Sequence, residues 1–182
     1  MKTTASIDRL VISSLLVILL LSVLGTACQK DPEVVPVTEC TASEIQKPIS
    51  STAPHYNLNV FLKGTSATAC GYVEFRQEVD GAQFIHLDTW VHGLEPGTAY
   101  SLQRAVDTTL DGNCTSTTWL TLGKGLTAEN ITTDANGSGY AELFRSVSMI
   151  AVGTTFDIHF QIIKVSDSSV VLTGDCYQYT VR

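Results

Sequence analysis

Apolar and polar residues alternate along most of the chain after residue 56. The alternation is clearest in four runs, at residues 58–62, 73–79, 85–91 and 156–162. A two-residue period with one apolar face is typical of a half-buried β-strand. No stretch after the N-terminal apolar run keeps a helical period of about 3.6 residues for more than two turns. The pattern therefore predicts short strands rather than helices.

Residues that favour tight turns separate these runs. Asp80-Gly81 and Asn136-Gly137 are typical of β-hairpins, and Glu95-Pro96-Gly97 suits a turn with proline at its first central position. About seven to nine short strands, with turn signals every ~8–12 residues, indicate an antiparallel sandwich or barrel. We therefore expect an all-β fold.

The N-terminus shows a different pattern. Lys2 and Arg9 precede an almost wholly apolar run at residues 10–24. This run is shorter than the ~20 residues that a membrane-spanning helix needs, and it has the length of the apolar region of a secretory signal peptide. It ends in Leu24-Gly25-Thr26-Ala27-Cys28, which resembles the lipobox of bacterial lipoproteins. The resemblance implies cleavage before Cys28 and lipidation of its thiol.

An ordinary signal peptide with a chance cysteine is the alternative, because Gly25 stands where the lipobox usually has a large aliphatic residue. The segment Gln29-Lys30-Asp31-Pro32-Glu33 is similar to the one that follows the lipidated cysteine in surface-exported lipoproteins of the Bacteroidetes. We therefore expect an outer-membrane protein anchored by acyl chains such as palmitate, on the cell surface or the periplasmic face. Acyl chains supply about 0.8 kcal/mol of membrane affinity per buried CH₂.

These features divide the chain into a signal peptide (1–27), a proline-containing tether (28–54) and a β-sandwich domain (55–182). The whole chain has a net charge of −7, and removing residues 1–27 takes away two basic residues and one acidic residue, which leaves −8. Such an acidic domain repels nucleic acids and anionic lipid headgroups. We therefore expect no nucleic-acid partner, and contact with the membrane through the lipid anchor only.

Four cysteines are left once Cys28 is assigned to lipidation, namely Cys40, Cys70, Cys114 and Cys176. In an oxidising, exported setting they suggest two disulfides, for which three pairings are possible. Four unpaired buried thiols are the alternative. The chain has no Cys-x-x-Cys spacing, so a thioredoxin-like or zinc-ribbon site is not supported.

Five short segments of the domain carry a resemblance to a known family. They are Gly-Tyr-Val-Glu-Phe at 71–75, Gly-Leu-Glu-Pro-Gly at 93–97, Thr-Asp-Ala-Asn-Gly-Ser-Gly at 133–139, Asp-Ile-His at 157–159 and Gly-Asp-Cys at 174–176. Their order resembles that of the copper/zinc superoxide dismutases over about residues 56–182. The resemblance implies a Greek-key β-sandwich or barrel, with an immunoglobulin-like sandwich as the alternative. It also implies a disulfide between the cysteine at 176 and the one at 114, which leaves Cys40 to pair with Cys70.

The sequence departs from that family at its metal site. Leu102-Gln103-Arg104 stands where the family has a His-x-His pair for copper, and no histidine lies between His92 and His159. Thr173 stands where the family has the arginine that guides superoxide. A copper site needs several imidazole ligands in a defined geometry. The resemblance therefore implies a dismutase-like scaffold without its metals, and we expect no cofactor.

The candidate metal ligands that are left are His86, His92 and His159. His86 and His92 lie six residues apart on one predicted strand, a separation of about 20 Å that is too long for a shared metal ion. A mixed site of His159 with one of them is one interpretation. The other is that all three histidines face solvent on the polar sides of their strands.

No serine-hydrolase elbow, His-Glu-x-x-His motif or phosphate-binding loop occurs, so no catalytic residue is predicted. Trp90 and Trp119, with Tyr140, Tyr177 and Tyr179, are candidates for a glycan- or protein-binding face, although aromatic residues in strands usually pack. The sequence thus predicts a lipid-anchored envelope protein with a non-enzymatic binding or structural role. The alternatives are a divergent dismutase-like or metal-binding protein, and a glycan- or protein-binding surface lipoprotein.

Overall fold

The structure is a computed structural model that describes residues 57–77, 81 and 83–182. The predicted signal peptide and tether lie outside these residues, as do Cys28 and Cys40. Across the described part of the chain the regular secondary structure consists of β-strands. No helix among these residues is long and apolar enough to cross a membrane.

Within the described residues, twelve strands, numbered here in chain order, form one sheet. Eight of them have four or more residues: β1 (Asn57–Gly64), β2 (Cys70–Arg76), β3 (Phe84–His92), β4 (Ala99–Asp107), β9 (Gly139–Ser146), β10 (Thr155–Lys164), β11 (Val170–Gly174) and β12 (Tyr177–Thr180). The other four are two residues long: β5 (Leu120–Thr121), β6 (Gly123–Lys124), β7 (Thr127–Ala128) and β8 (Ile131–Thr132). The four predicted runs of alternating residues correspond to β1, β2, β3 and β10.

The sheet curls into a nearly closed barrel. Its long strands are hydrogen-bonded in the order β4-β10-β11-β1-β2-β3-β9. The short strands β5 and β6 fill the gap between the two ends of this series, because β5 pairs with β4 and β6 pairs with β9. The pairing of β6 with β9, at Lys124 and Phe144, is parallel, so the sheet is mixed rather than purely antiparallel. After β6 the chain makes a short turn into β7, which pairs with β6 in antiparallel orientation.

The path of the chain is a Greek key. β3 and β4 are consecutive in sequence, yet β9 lies beside β3 while β4 lies beside β10. The connection between β3 and β4 crosses one end of the barrel and is held there by the turn before β9. The amide of Leu94 donates to the carbonyl of Gly137 at 3.1 Å, and the amide of Gly97 donates to the carbonyl of Thr133 at 3.2 Å. The all-β fold predicted from the alternation is confirmed.

The apolar side of each long strand faces the interior of the barrel. Its fully buried large side chains include Val60, Leu62, Val73, Leu102, Ile131, Leu143, Phe160, Ile162 and Leu172. Burying a side chain of this size stabilises the fold by about 1.5–3 kcal/mol. Tyr179 is also fully buried, and its hydroxyl donates to the Oε1 atom of Gln77. This hydrogen bond satisfies two polar groups inside the core.

A disulfide-bonded segment covers the outside of β10. Cys114, in the segment between β4 and β5, is bonded to Cys176, which directly precedes β12, and their Cα atoms are 5.4 Å apart. The predicted pairing of Cys114 with Cys176 is confirmed. Cys70 is disulfide-bonded as well. Its pairing with Cys40 stays a prediction.

Candidate binding face

The outer surface of β2, β3 and β9 carries three aromatic side chains in one line. Trp90 of β3 lies directly opposite Tyr72 of β2 on one side and Tyr140 of β9 on the other. The buried neighbours of Trp90, Thr89 and Val91, point into the barrel. Since side chains alternate between the two faces of a strand, the three rings lie on the outside. We call Tyr72, Trp90 and Tyr140 the aromatic row.

The three rings form a continuous, partly exposed platform. The centroids of Tyr72 and Trp90 are 5.8 Å apart with an interplanar angle of 40°, and those of Trp90 and Tyr140 are 5.0 Å apart at 35°. These separations are typical of aromatic pairs that attract each other. Tyr140 is 41% exposed, and Tyr72 and Trp90 are half-buried. The row therefore presents aromatic surface to solvent across three neighbouring strands.

A line of carboxylates runs beside the aromatic row. Asp88 of β3 lies opposite Glu74 of β2 and opposite Glu142 of β9. We call Glu74, Asp88 and Glu142 the carboxylate row. Each of its members is two residues along its strand from a member of the aromatic row, which is a distance of about 7 Å on the same face. The two rows together make one patch on the outside of the barrel.

Only one end of the carboxylate row is neutralised. Arg76 forms an ion pair with Glu74 at 2.8 Å, and its guanidinium also donates to the side-chain oxygen of Asn59 at 2.6 Å. Within the described residues, neither Asp88 nor Glu142 takes part in an ion pair. The patch therefore carries an excess of negative charge.

Burial first, and this excess of negative charge second, raise the pKa values of Asp88 and Tyr140 in the patch. Burial, followed by the charges of Glu142 and Glu74, raises the pKa of Asp88. Burial, followed by the charges of Asp88 and Glu142, raises the pKa of Tyr140 to about 12. The hydroxyl of Tyr140 also donates to Glu142 at 3.3 Å. Tyr140 therefore keeps its proton at neutral pH and serves as a hydrogen-bond donor beside the carboxylates.

The three histidines do not come together. His86 is exposed on β3 opposite Arg76, and the Nδ1 atom of His92 is hydrogen-bonded to the hydroxyl of Ser138 at 2.7 Å. His159 lies on β10, which is separated from β3 by three other strands. In the described part of the chain, no group of three or more histidine, cysteine, aspartate or glutamate side chains is placed to hold a metal ion.

His159 is engaged by the segment that covers β10. Its Nε2 atom lies 3.1 Å from the carbonyl oxygen of Ser116, and because a carbonyl only accepts, Nε2 is the donor. The ring of Trp119 lies over the imidazole with a centroid separation of 4.6 Å and an angle of 34°. His159 thus packs against Trp119 and the disulfide-bonded segment. The strand pattern, in contrast, indicates a histidine that faces solvent.

The candidate aromatic residues separate into different environments. Trp90 and Tyr140 share the outer patch, whereas Trp119 lies on His159 at another side of the barrel. Tyr179 is fully buried in the core, so it is not part of a surface site. The Tyr177 hydroxyl accepts from the amide of Phe61 at 3.2 Å and is half-buried. The five candidate aromatic residues therefore do not share one face, and a binding role for Trp90 or Trp119 stays a prediction.

Tyr72 and the carboxylate row are parts of the patch that the sequence pattern did not single out. Their assembly depends on the register of β2 against β3 and of β3 against β9, which brings residues far apart in the chain onto one line. A signal was present in the alternation, since Tyr72 and Glu74 occupy the polar positions of β2. The alternation does not show how β2, β3 and β9 are aligned with one another, and that alignment brings these residues together.

The patch offers two kinds of contact to a ligand. The aromatic rings provide flat surfaces for stacking, and the carboxylates accept hydrogen bonds or pair with a cation. Comparison of the sequence with models of known protein families gives no match, and comparison with curated proteins gives none either. The chemistry of the patch is therefore the basis for a functional assignment.

Proposed function

We propose that this chain is a lipid-anchored cell-envelope protein with a non-enzymatic binding role, and that the patch of the aromatic and carboxylate rows is its binding face. The observation that carries the binding role is the in-register line of Tyr72, Trp90 and Tyr140 on the outside of the barrel. Exposed aromatic side chains are enriched where proteins bind their partners. The anchoring part of the proposal rests on the N-terminal apolar run and Cys28.

The binding role is tested by comparing two tryptophan substitutions in the full chain. The probes are the peptide hexalysine, the neutral sugar chitohexaose and the peptide hexaglutamate, each followed by fluorescence titration and calorimetry. Trp90→Ala is expected to abolish binding of the probe that wild type binds, and Trp119→Ala is expected to leave it unchanged. Tyr140→Ala, at an exposed position, repeats the test without a change in the core. Equal binding by wild type and Trp90→Ala would overturn the proposal.

The anchoring is tested by labelling growing bacteria with a fatty acid that carries an alkyne group. Wild type is expected to incorporate the label and to sediment with the outer membrane. Cys28→Ala is expected to lose both properties, because the thiol that carries the lipid is missing. Cys114→Ala serves as a control, since its thiol is used in a disulfide rather than for lipid. Unchanged labelling of Cys28→Ala would show that the lipobox assignment is wrong.

We also propose that the scaffold is related to the copper/zinc superoxide dismutases and has lost their metals. The Greek-key path and the disulfide from Cys114 to Cys176 support the relationship. The hydrogen bond of the Nε2 atom of His159 to Ser116 supports the loss, because that nitrogen carries a proton and is not available to a metal.

Metal analysis of wild type and His159→Ala is expected to give the same near-zero content. Stoichiometric copper or zinc that disappears in His159→Ala would favour the metal-binding alternative.

A further inference from the structure

Two carboxylates of the patch, Asp88 and Glu142, form no ion pair within the described residues, and they indicate the charge of its ligand. Asp88 lies between Glu74 and Glu142 on neighbouring strands, and like charges directly opposite each other destabilise a sheet. Arg76 forms its ion pair with Glu74, and Arg76 and His86 offset only part of the effect that burial and the neighbouring carboxylates have on Asp88. Burial is the largest cause of the raised pKa of Asp88, and the repulsion from Glu142 and Glu74 adds to it. A positively charged group placed on the carboxylate row would relieve the repulsion between its side chains.

The aromatic row beside these carboxylates favours the same kind of ligand. A lysine or arginine head group is attracted to the face of a tryptophan or tyrosine ring when it lies within about 6 Å of the ring centroid. The two rows are about 7 Å apart on one face. A long basic side chain can therefore lay its apolar stem on Trp90 and bring its charged end to Asp88 or Glu142.

We infer that the ligand of this face is a cationic segment of a partner protein, rich in lysine or arginine. The inference rests on the proposed binding function and adds the ligand class to it. Charge complementarity carries it, because the patch has more carboxylates than basic groups and the whole chain has a net charge of −7. A neutral sugar would stack on the rings and donate hydroxyl hydrogen bonds to the carboxylates, but it would leave their negative charge uncompensated. Sugar binding is therefore the competing outcome of the test.

The experiment measures binding of hexalysine, hexaglutamate and chitohexaose to the full chain. The double variant Asp88→Asn/Glu142→Gln removes two charges from the carboxylate row. The double variant Asp111→Asn/Glu129→Gln removes the same number of charges outside the patch, at exposed Asp111 and at half-buried Glu129, which pairs with Lys124. It controls for the general attraction of a basic peptide to an acidic protein. Circular dichroism spectra of both double variants check that the fold is retained.

We expect wild type to bind hexalysine, with an affinity that falls as salt is added, and to bind neither of the other probes. The patch variant is expected to bind hexalysine at least roughly tenfold more weakly, while the control variant stays within about threefold of wild type. Similar losses in the two double variants would overturn the inference, because the attraction would then be non-specific.

The test separates failure of this inference from failure of the binding proposal. If chitohexaose binds, Trp90→Ala abolishes its binding and the patch variant is unaffected, then the binding face is correct and the cationic ligand is wrong. If no probe shows binding that depends on Trp90, then both the face and the ligand class are wrong. Hexalysine binding that depends on Trp90 and on the carboxylate row supports both.

Discussion

The buried carboxylate of Asp157 holds the backbone of Gly112, whose amide nitrogen lies 2.8 Å from the Oδ2 atom. The same oxygen accepts from the amide of Asp111 at 3.1 Å, and the other oxygen accepts from the side chain of Gln178 at 3.3 Å. One side chain of β10 thus fixes the start of the disulfide-bonded segment against the barrel.

The first prediction concerns this carboxylate. Asp157→Ala leaves two backbone amides without their acceptor, and we expect the free energy of unfolding to fall by about 1–3 kcal/mol. Urea denaturation followed by circular dichroism measures the change. Asp111→Ala is the control, because its exposed side chain accepts only from the amide of Asn113 at 2.9 Å. An equal loss of stability in the two variants would contradict this role of Asp157.

The second prediction concerns the disulfide. Cys114 and Cys176 are 62 residues apart, and a chain-entropy estimate for a loop of that length gives about 4 kcal/mol of stabilisation. We therefore expect the double variant Cys114→Ser/Cys176→Ser to unfold at a clearly lower urea concentration than wild type. Substitution is preferable to a reducing agent, because Cys70 is also disulfide-bonded. A loss below about 1 kcal/mol would show that the covered face of β10 holds together without the covalent link.

The third prediction follows from the raised pKa of Asp88. A carboxyl whose pKa is higher in the folded state than in the unfolded state favours folding when protonated, and this advantage is lost as the pH rises through the folded-state pKa. Asp88→Asn imitates the protonated form. Because solvent screens the charges around this partly exposed carboxyl, we expect the substitution to raise the free energy of unfolding near pH 7 by only a few tenths of a kcal/mol, roughly 0.2–0.5. Little effect is expected at about pH 3.

Asp167 provides a control with the opposite sign. Hydrogen bonds from Ser169 lower the pKa of this exposed carboxyl, so its contribution to stability is present at neutral pH and is lost as the pH falls through its folded-state pKa. Asp167→Asn is therefore expected to reduce stability at neutral pH rather than raise it. Urea denaturation at the two pH values measures both variants. A destabilising effect of Asp88→Asn near neutral pH would contradict the repulsion in the carboxylate row.

The fourth prediction concerns the turn that holds the crossover. Gly137 has a φ of +73°, and a Cβ atom added there would lie 2.1 Å from the carbonyl oxygen of Leu94. Gly97 has a similar φ of +64°, but a Cβ atom there meets nothing within 4 Å. We expect Gly97→Ala to cost about 1–2 kcal/mol from the left-handed backbone alone, and Gly137→Ala to cost about 1–3 kcal/mol more. Thermal unfolding of the two variants measures the difference, and equal losses would contradict the close approach to Leu94.

Alternation and turn residues predicted the strands well, because each depends on residues that are near one another in the chain. The runs around Leu58, Phe75, Leu87 and Phe160 all became strands with one buried side. The same alternation placed Asp157 on the polar side of β10, and it does point away from the apolar core. It is nevertheless buried, because the disulfide-bonded segment covers that side.

The patch of the aromatic and carboxylate rows could not be predicted from the sequence to the same extent. Trp90 and Tyr140 were singled out as aromatic residues, but nothing in a single sequence aligns them with Tyr72 or places Asp88 between Glu74 and Glu142. Register is set by the whole sheet, and a shift of one residue in a strand moves every side chain to the other face. The disulfide between Cys114 and Cys176 was predicted through the family resemblance, whereas the cysteine count alone left three pairings open.

The pairing of β1 with β11 joins the first long strand of the sheet to one of the last. Leu62, near the start of the domain, is aligned with Gly174, close to its end. The β1-β2-β3 meander needs only local contacts, but closing the sheet requires strands that are distant in sequence, and such contacts form slowly. Until β11 is available, β1 keeps an open edge that can pair with other chains. A chain that ends before Val170 is therefore expected to aggregate rather than to form a smaller stable domain.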